Sequence, residues 1–113
     1  MSTKKIRLLE RQIEKIKEEL AALGDLRPGS LSEQYNVCGK KGCRCKEDPP
    51  QKHGPYYQLS FSRKGKSSTR FVKVENVPAV REQIKNYKLL KDIVDRWIDL
   101  GMELSMLRIE DQK

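Results

Sequence analysis

The chain has 113 residues, a mean hydropathy of −0.78 and 24 basic against 16 acidic side chains, which leaves a net charge of +8 at pH 7. Only 36% of the residues are apolar, so we expect one small domain over residues 1–113, with a thin core that a metal or a partner chain helps to stabilise. No apolar run is long enough to span a bilayer and the first residues lack a signal-peptide apolar segment, so we expect a cytoplasmic protein with no membrane partner.

The first predicted element is a helix over residues 4–23. Its apolar side chains follow a 3-4-3-4-3 spacing, which is typical of a heptad pattern: Ile6, Leu9, Ile13, Ile16, Leu20 and Leu23. Such a stripe fits an amphipathic helix packed on its own domain, and it equally fits one strand of a coiled coil. Fewer than three heptads leave both interpretations open.

A small β module is predicted over residues 28–75, and it begins with a turn at residues 27–30. Apolar and polar side chains then alternate over residues 31–37, which predicts a short strand. The tetrapeptide Ser30-Leu31-Ser32-Glu33 also matches a helix capping box. Too few apolar residues follow it to sustain a helix, so the strand is preferred.

All three cysteines and the only histidine of the chain fall between residues 38 and 53, in the order Cys-x4-Cys-x-Cys-x7-His. Three thiolates and one imidazole make a complete tetrahedral set for Zn²⁺, and neighbouring cations favour the thiolate forms. A disulfide explains the pattern less well, because the cysteine count is odd and Cys43 and Cys45 are too close in sequence. The alternative is three ordinary reduced cysteines and a surface histidine. We predict one Zn²⁺ held by Cys38, Cys43, Cys45 and His53.

The motif Cys-Gly-Lys-x-Gly-Cys-Arg-Cys at residues 38–45, followed by His-Gly-Pro-Tyr at residues 53–56, resembles a family of small prokaryotic proteins with a domain of unknown function. The resemblance covers about residues 28–104, and the family is associated with mobile elements. It supports the metal site, because the four predicted ligands occupy the motif positions. It implies no established activity.

The residues after the histidine predict a β-hairpin. Apolar and polar side chains alternate from Tyr57 onward, residues 63–66 supply a turn, and a β-branched segment follows. Together with the strand over residues 31–37, this hairpin is expected to form a three-stranded antiparallel sheet beside the metal.

Asn76 and Pro78 mark the start of a long helix, predicted over residues 78–108. Two overlapping apolar series run along it: Val80, Ile84, Tyr87, Leu90, Val94 and Trp97, then Leu90, Ile93, Trp97, Leu100, Leu104 and Leu107. The first helix is too short to cover this surface, so either the sheet or a second copy is expected to cover the remainder, and we predict a homodimer through the helices. The fold class is α+β: a zinc-stapled three-stranded antiparallel β module, flanked by an N-terminal and a long C-terminal heptad-patterned helix.

The excess positive charge is concentrated in the predicted β module. Residues 36–73 carry ten basic and two acidic side chains, whereas the segments on either side are close to neutral. A basic module with an accessible tyrosine suits phosphates and bases, so we predict that DNA or RNA is the partner. Tyr56 is expected to stack on a base, because its strand parity is opposite to that of the apolar residues. The predicted contacts are Lys40, Lys41, Arg44, Lys46, Tyr56, Arg63, Lys64, Lys66 and Arg70.

Two other functional classes compete with nucleic-acid binding as explanations of the sequence. An enzyme is not expected, because no catalytic constellation is visible and the single histidine is better explained as a metal ligand. The alternative is a non-enzymatic protein–protein adaptor, in which the heptad helices mediate assembly and the zinc is purely structural. In the simplest explanation of the charge, the cations do no more than solvate a small module.

Overall fold

The computed structural model describes residues 3–36 and 53–111. Five main elements follow one another: α1 (Thr3–Ala21), β1 (Ser30–Asn36), β2 (His53–Arg63), β3 (Lys66–Val72) and α2 (Val77–Asp111). An α+β fold with a three-stranded antiparallel sheet between an N-terminal and a long C-terminal helix is thereby confirmed. No helix of the described residues has the length and apolar composition needed to cross a membrane.

The chain divides into two compact units. Met1–Leu26 and Lys85–Lys113 form the first, called here the helical unit, and Arg27–Ile84 form the second, called the sheet unit. Two compact units can still fold cooperatively as one domain, so the single-domain expectation stays a prediction.

In the helical unit, α1 and the C-terminal part of α2 bury apolar stripes against each other. Leu9, Ile13 and Leu104 form the core. The pairing is antiparallel, because Lys5 near the start of α1 contacts Glu103 late in α2 at 3.4 Å, and Asn86 donates a hydrogen bond to the carbonyl of Asp25. Of the two interpretations of the α1 stripe, the amphipathic helix packed on its own chain agrees with this burial. Partly buried side chains complete the cluster: Ile6, Trp97, Leu100 and Leu107.

A second apolar face of α2 is left open in the helical unit. Its members are spaced mostly four residues apart and are 39–66% exposed, and we call them the outer stripe: Val94, Ile98, Met102, Met106 and Ile109. The series starting at Leu90 that the sequence indicated is the inner face, of which Ile93 and Leu104 are buried. The sequence pattern predicts an uncovered remainder without naming its residues. In the structure the exposed residues are those of the outer stripe, of which only Val94 belongs to a predicted apolar series.

The sheet unit is built around β2, which lies between β1 and β3. Leu31 of β1 and Arg70 of β3 are both in register with Leu59 of β2, which is 2% exposed. Gly29 lies against this side chain at a φ of +136°, and a Cβ at Gly29 would lie 3.0 Å from a methyl carbon of Leu59. Because a side chain at position 29 would be both strained and crowded, glycine there lets the backbone close over the core of the sheet.

The first turns of α2 belong to the sheet unit and contribute buried side chains. Val77 is 7% exposed and Ile84 is 9% exposed. The backbone amide of Arg27 donates to the carbonyl oxygen of Gln83 at 3.1 Å, and the Arg27 guanidinium lies 4.7 Å above the ring of Phe61. The segment before β1 is thus tied both to α2 and to β2.

Candidate nucleic-acid interface

The tip of the β2–β3 hairpin carries three exposed cations within four residues. Arg63 and Lys66 are register partners, and Lys64 and Gly65 between them have φ values of 53° and 79°. Two consecutive positive φ values define a type I′ turn, whose twist matches that of the adjoining strands. The turn lies where the sequence predicts it, and its cations all face solvent.

Cations of the sheet unit lack acidic partners in the part of the chain that the structure describes. The unit carries seven basic and three acidic side chains there, whereas the helical unit carries eleven of each. All five ion pairs of the described residues lie in the helical unit. The excess charge of the sheet unit is therefore free to attract a polyanion.

One face of the sheet is solvent-exposed and uncharged. Register and strand alternation assign it the residues of opposite parity to Leu59. We call it the outer sheet face: Ser30, Ser32, Gln34, Tyr56, Gln58, Ser60, Ser62, Ser67, Thr69 and Phe71. None is buried, and only the two glutamines are partly so.

Two aromatic side chains stand out on the outer sheet face. Phe71 is 72% exposed and Tyr56 is 41% exposed. Phe71 is in register with Gln58, so Tyr56, two residues earlier on β2, is its diagonal neighbour. Diagonal neighbours in an antiparallel pair lie about 7–8 Å apart, within reach of aromatic rings. The two rings are therefore close enough to serve one ligand.

Amide and hydroxyl groups next to these rings are held by hydrogen bonds. Gln34 donates from its side-chain amide to the side-chain oxygen of Gln58, and Ser32 donates to the backbone carbonyl of Gln58 at 3.3 Å. Near the tip, the hydroxyls of Ser62 and Ser67 pair at 2.8 Å. These bonds span neighbouring strands, so they fix the positions of polar groups across the face.

Tyr35 and Glu33 lie near the end of β1. The Tyr35 hydroxyl donates to the Glu33 carboxylate at 3.0 Å. This hydrogen bond, with smaller contributions from burial and neighbouring charge, raises the pKa of Tyr35 above its ordinary value. Glu33 is the one acidic residue in the described strands, and it is of opposite parity to the outer sheet face. The face therefore carries no acidic group to repel a phosphate.

The predicted metal site falls mostly outside the described residues. Cys38, Cys43 and Cys45 lie there, and His53 is the first residue of β2. Among residues 3–36 and 53–111, no group of three potential ligand side chains is clustered for a metal ion. The zinc site stays a prediction.

Gly54 of the His-Gly-Pro-Tyr motif makes a close backbone contact. Its φ is +141°, and a Cβ there would lie 2.7 Å from the Gln34 carbonyl oxygen and 2.9 Å from a ring carbon of Tyr35. The β1–β2 register shifts between Gln34 and Asn36, at this same point. Only glycine fits this approach without displacing backbone, so position 54 of the motif is explained by packing.

The structure groups some predicted nucleic-acid contacts and separates others. Arg63, Lys64 and Lys66 lie together at the tip, whereas Tyr56 lies seven residues along β2, about 23 Å away. Arg70 is exposed but shares the parity of Leu59, as Arg63 and Lys66 at the tip also do, so none of these three cations is on the outer sheet face itself. The remaining predicted contacts lie outside the described residues: Lys40, Lys41, Arg44 and Lys46.

A family model of a domain of unknown function (DUF6788) matches residues 6–82, which is more than half of the chain. The chain belongs to the DUF6788 family. No curated protein and no solved structure matches it. The DUF6788 match covers α1 from its fourth residue and all three strands, including Tyr56 and Phe71. It ends in the first turns of α2, before the outer stripe.

Phe71 is the candidate residue of this DUF6788 chain that sequence reasoning missed. In the sequence it lies in a β-branched segment and looks like another apolar strand residue. The available signal was its parity: counting outward from the Lys64-Gly65 turn aligns Phe71 with Gln58, on the polar side of β2. A large apolar residue on the polar side of a hairpin is the pattern that would have identified it.

Proposed function

We propose that the chain binds nucleic acid through its sheet unit, as a non-enzymatic accessory or regulatory factor. The supporting observation is the charge of the sheet unit: seven cations against three acidic residues, with no ion pair among its described residues. The mobile-element association implied by the motif resemblance is consistent with such a factor and belongs to the same proposal.

Phosphate binding follows from the physical chemistry of these cations. A nucleic-acid strand carries condensed counterions, and each Lys or Arg that neutralises a phosphate releases one of them, with a gain in entropy. Cations that already have carboxylate partners gain less, because they give up one interaction to form another. Arg63, Lys64 and Lys66 are exposed, close together and without such partners in the described residues. They are our primary phosphate contacts.

A structural Zn²⁺ held by Cys38, Cys43, Cys45 and His53 is part of the proposal. The donor set, three thiolates and an imidazole, suits tetrahedral zinc with no open position. Asn36 at the end of β1 is in register with His53 at the start of β2. The two ends of the segment that contains the cysteines are therefore neighbours in the sheet, which supports a role for the metal in closing that segment.

Charge reversal tests nucleic-acid binding. Changing Arg63, Lys64 and Lys66 together to Glu should weaken binding to DNA and RNA of mixed sequence, and should flatten the dependence of log affinity on log salt by about 0.7–0.9 per lost contact. The matched control reverses three exposed cations of α1 that form no ion pair in the described residues, Arg7, Arg11 and Lys15, and changes the net charge equally. Equal loss in both variants would indicate a general charge effect and contradict the assignment to the tip.

The adaptor alternative is favoured by one observation, the outer stripe of α2. All its residues except Ile109 line a shallow, mostly apolar groove of about 540 Å³ that also includes Gly101 and Ser105. A row of residues four apart forms a ridge, and identical ridges pack into the adjacent grooves of a second copy with two-fold symmetry. From Val94 to Ile109 the stripe is about 24 Å long, short for a standard interface, so the proposed homodimer is weak.

Sedimentation equilibrium tests the homodimer. Ile98→Glu combined with Met102→Glu should make the protein monomeric at concentrations where the unaltered chain self-associates, because both side chains are more than half exposed and face the proposed partner. Leu89→Glu is the control, since Leu89 is an exposed apolar residue of α2 outside the outer stripe. An unaltered chain that stays at 13.2 kDa up to high micromolar concentration would contradict the homodimer.

A further inference from the structure

The outer sheet face differs from an ordinary solvated sheet surface. Such surfaces are usually rich in Lys, Glu and other charged residues, whereas this face has only hydroxyl, amide and aromatic side chains. Uncharged hydrogen-bonding groups can both donate and accept, and they attract neither sign of charge. The chemistry of the face therefore suits a flat, uncharged ligand group with hydrogen-bonding edges.

Phe71 has an exposure that the described part of the chain does not explain. Burying a phenylalanine side chain contributes stability, yet the Phe71 ring is 72% exposed, and its register partner Gln58 is polar. Tyr56 beside it is also exposed. Two accessible rings on one sheet face leave their π surfaces open for stacking.

We propose that Tyr56 and Phe71 form a stacking platform for two consecutive unpaired bases of single-stranded DNA or RNA. This inference rests on the proposed nucleic-acid binding and specifies which form of nucleic acid the sheet unit takes. Stacking on aromatic side chains is a sequence-tolerant way of holding single strands, because every base has a π face.

The spacing of the two rings selects unpaired bases. Diagonal neighbours lie about 7–8 Å apart, roughly twice the 3.4 Å rise between stacked bases of a duplex strand. Adjacent bases can occupy both rings only when they have separated from one another. In a duplex they remain stacked and paired, with their faces covered, so the platform has nothing to bind.

Cations border the platform where the sugar–phosphate backbone would pass. Lys73 directly follows β3, is exposed, and continues the parity of Phe71. The tip cations lie about 23 Å away at the other end of β2. At one nucleotide per 7–8 Å, the face between them accommodates roughly three nucleotides. Bases then contact the uncharged face while phosphates contact cations at its ends.

The test measures binding to the full chain at low salt by fluorescence anisotropy. The probe is a labelled thymidine oligonucleotide of about 12 nucleotides, a length within the range of single-strand site sizes. A labelled duplex of equal length is measured in parallel. Phe71→Ala should weaken single-strand binding about 5- to 150-fold, which corresponds to about 1–3 kcal/mol per stacked base. Tyr56→Ala should have an effect in the same range. Duplex binding should change by less than about threefold, and the salt slope should stay unchanged, because phosphate contacts remain.

Two substitutions at the same position separate stacking from apolar contact. Phe71→Tyr keeps a ring and should retain the affinity, whereas Phe71→Leu keeps apolar surface without a ring and should lose most of it. Leu89→Ala is the control for truncation of an exposed apolar side chain in the helical unit, and it should leave the affinity for both oligonucleotides unchanged.

The outcomes distinguish this inference from the proposed function. If the tip charge reversal weakens binding but Phe71→Ala does not, the platform is wrong and nucleic-acid binding stands. Equal loss on single strands and duplex, or full affinity in Phe71→Leu, also overturns the platform. If the unaltered chain binds neither oligonucleotide, both proposals fall and the face is assigned to a protein partner.

Discussion

The helical unit and the sheet unit use their charges in different ways. The helical unit is neutral over its described residues, and its two helices are joined along their edges by the ion pairs Lys5–Glu103, Glu10–Arg108 and Glu19–Arg96. The sheet unit has an excess of four positive charges over its described residues and forms no such pair there. Charge in the helical unit is balanced overall and part of it is paired between the helices, whereas the described part of the sheet unit has an unpaired excess that is left for a ligand.

The two units also differ in how completely their apolar side chains are buried. Each helix of the helical unit covers an apolar stripe of the other, around Leu9, Ile13 and Leu104. In the sheet unit, one side chain of the described strands, Leu59, is fully buried, and most residues of the strands are exposed. A three-stranded sheet needs an apolar face or another support for independent stability. We therefore expect the helical unit to be stable by itself and the sheet unit to depend on additional interactions.

The largest expected effect is that of removing the metal. If Zn²⁺ staples the sheet unit, chelation with EDTA or Cys43→Ser should remove binding energy on the order of 10 kcal/mol and unfold the strands while the helices persist. Circular dichroism at 222 nm and amide NMR signals of β2 and β3 measure the two units separately. Elemental analysis of the unaltered protein should give one zinc per chain. Strand signals that survive EDTA would contradict the staple.

A core truncation in the helical unit should have the next largest effect. Leu104→Ala removes a side chain that is 7% exposed and leaves a cavity between α1 and α2, so we expect a loss of about 2–4 kcal/mol in the free energy of unfolding. Leu89→Ala makes the same chemical change at a side chain that is 41% exposed, and should cost well under half as much. Chemical denaturation measures both. Similar values for the two variants would contradict the assignment of inner and exposed faces.

A glycine substitution in the sheet unit should have the smallest of the three effects. Gly54→Ala places a methyl group 2.7 Å from the Gln34 carbonyl oxygen at a φ that side chains rarely adopt, so we expect a loss of about 1–3 kcal/mol. Gly24→Ala is the control, because its nearest contact, the Asn86 amide nitrogen, is at an ordinary 3.5 Å. Thermal melting followed by the strand signals should separate the two variants. A Gly54→Ala protein as stable as the control would mean that β1 can move away from β2 at no cost.

Periodicity in the sequence predicts the helices and strands, although β2 begins at His53, four residues before the alternation that starts at Tyr57. The 3-4 spacing placed the first helix at residues 4–23, and it is observed at Thr3–Ala21. The series from Leu90 to Leu107 identified the inner face of the observed helix Val77–Asp111, and the Arg63–Lys66 turn was found from its Gly and Lys residues. These features depend on neighbours within a few residues along the chain, which is the information that a sequence displays directly.

The sequence pattern does not reveal features that depend on partners distant in sequence. Ile98, Met102 and Met106 are apolar residues of α2 just as Leu104 is, and only the position of α1 decides which of them are buried. Phe71 gains its significance from the register with Gln58, and Gly54 from its contact with Gln34. One alternating pattern is compatible with several registers and faces, so the outer stripe and the Gly54 contact could not be singled out before the pairing was known. Phe71 is the exception, because counting outward from the turn aligns it with Gln58.

The left-handed backbone of Lys64 separates stability from charge at a single position. A φ of 53° at the first central residue of a type I′ turn is disfavoured for lysine and common for asparagine or glycine. Lys64→Asn should therefore raise the melting temperature of the strands while it lowers affinity for phosphates by one contact. Mutations outside functional sites usually impair function by lowering stability. At this turn the two quantities are expected to change in opposite directions, so a more stable hairpin would bind less well.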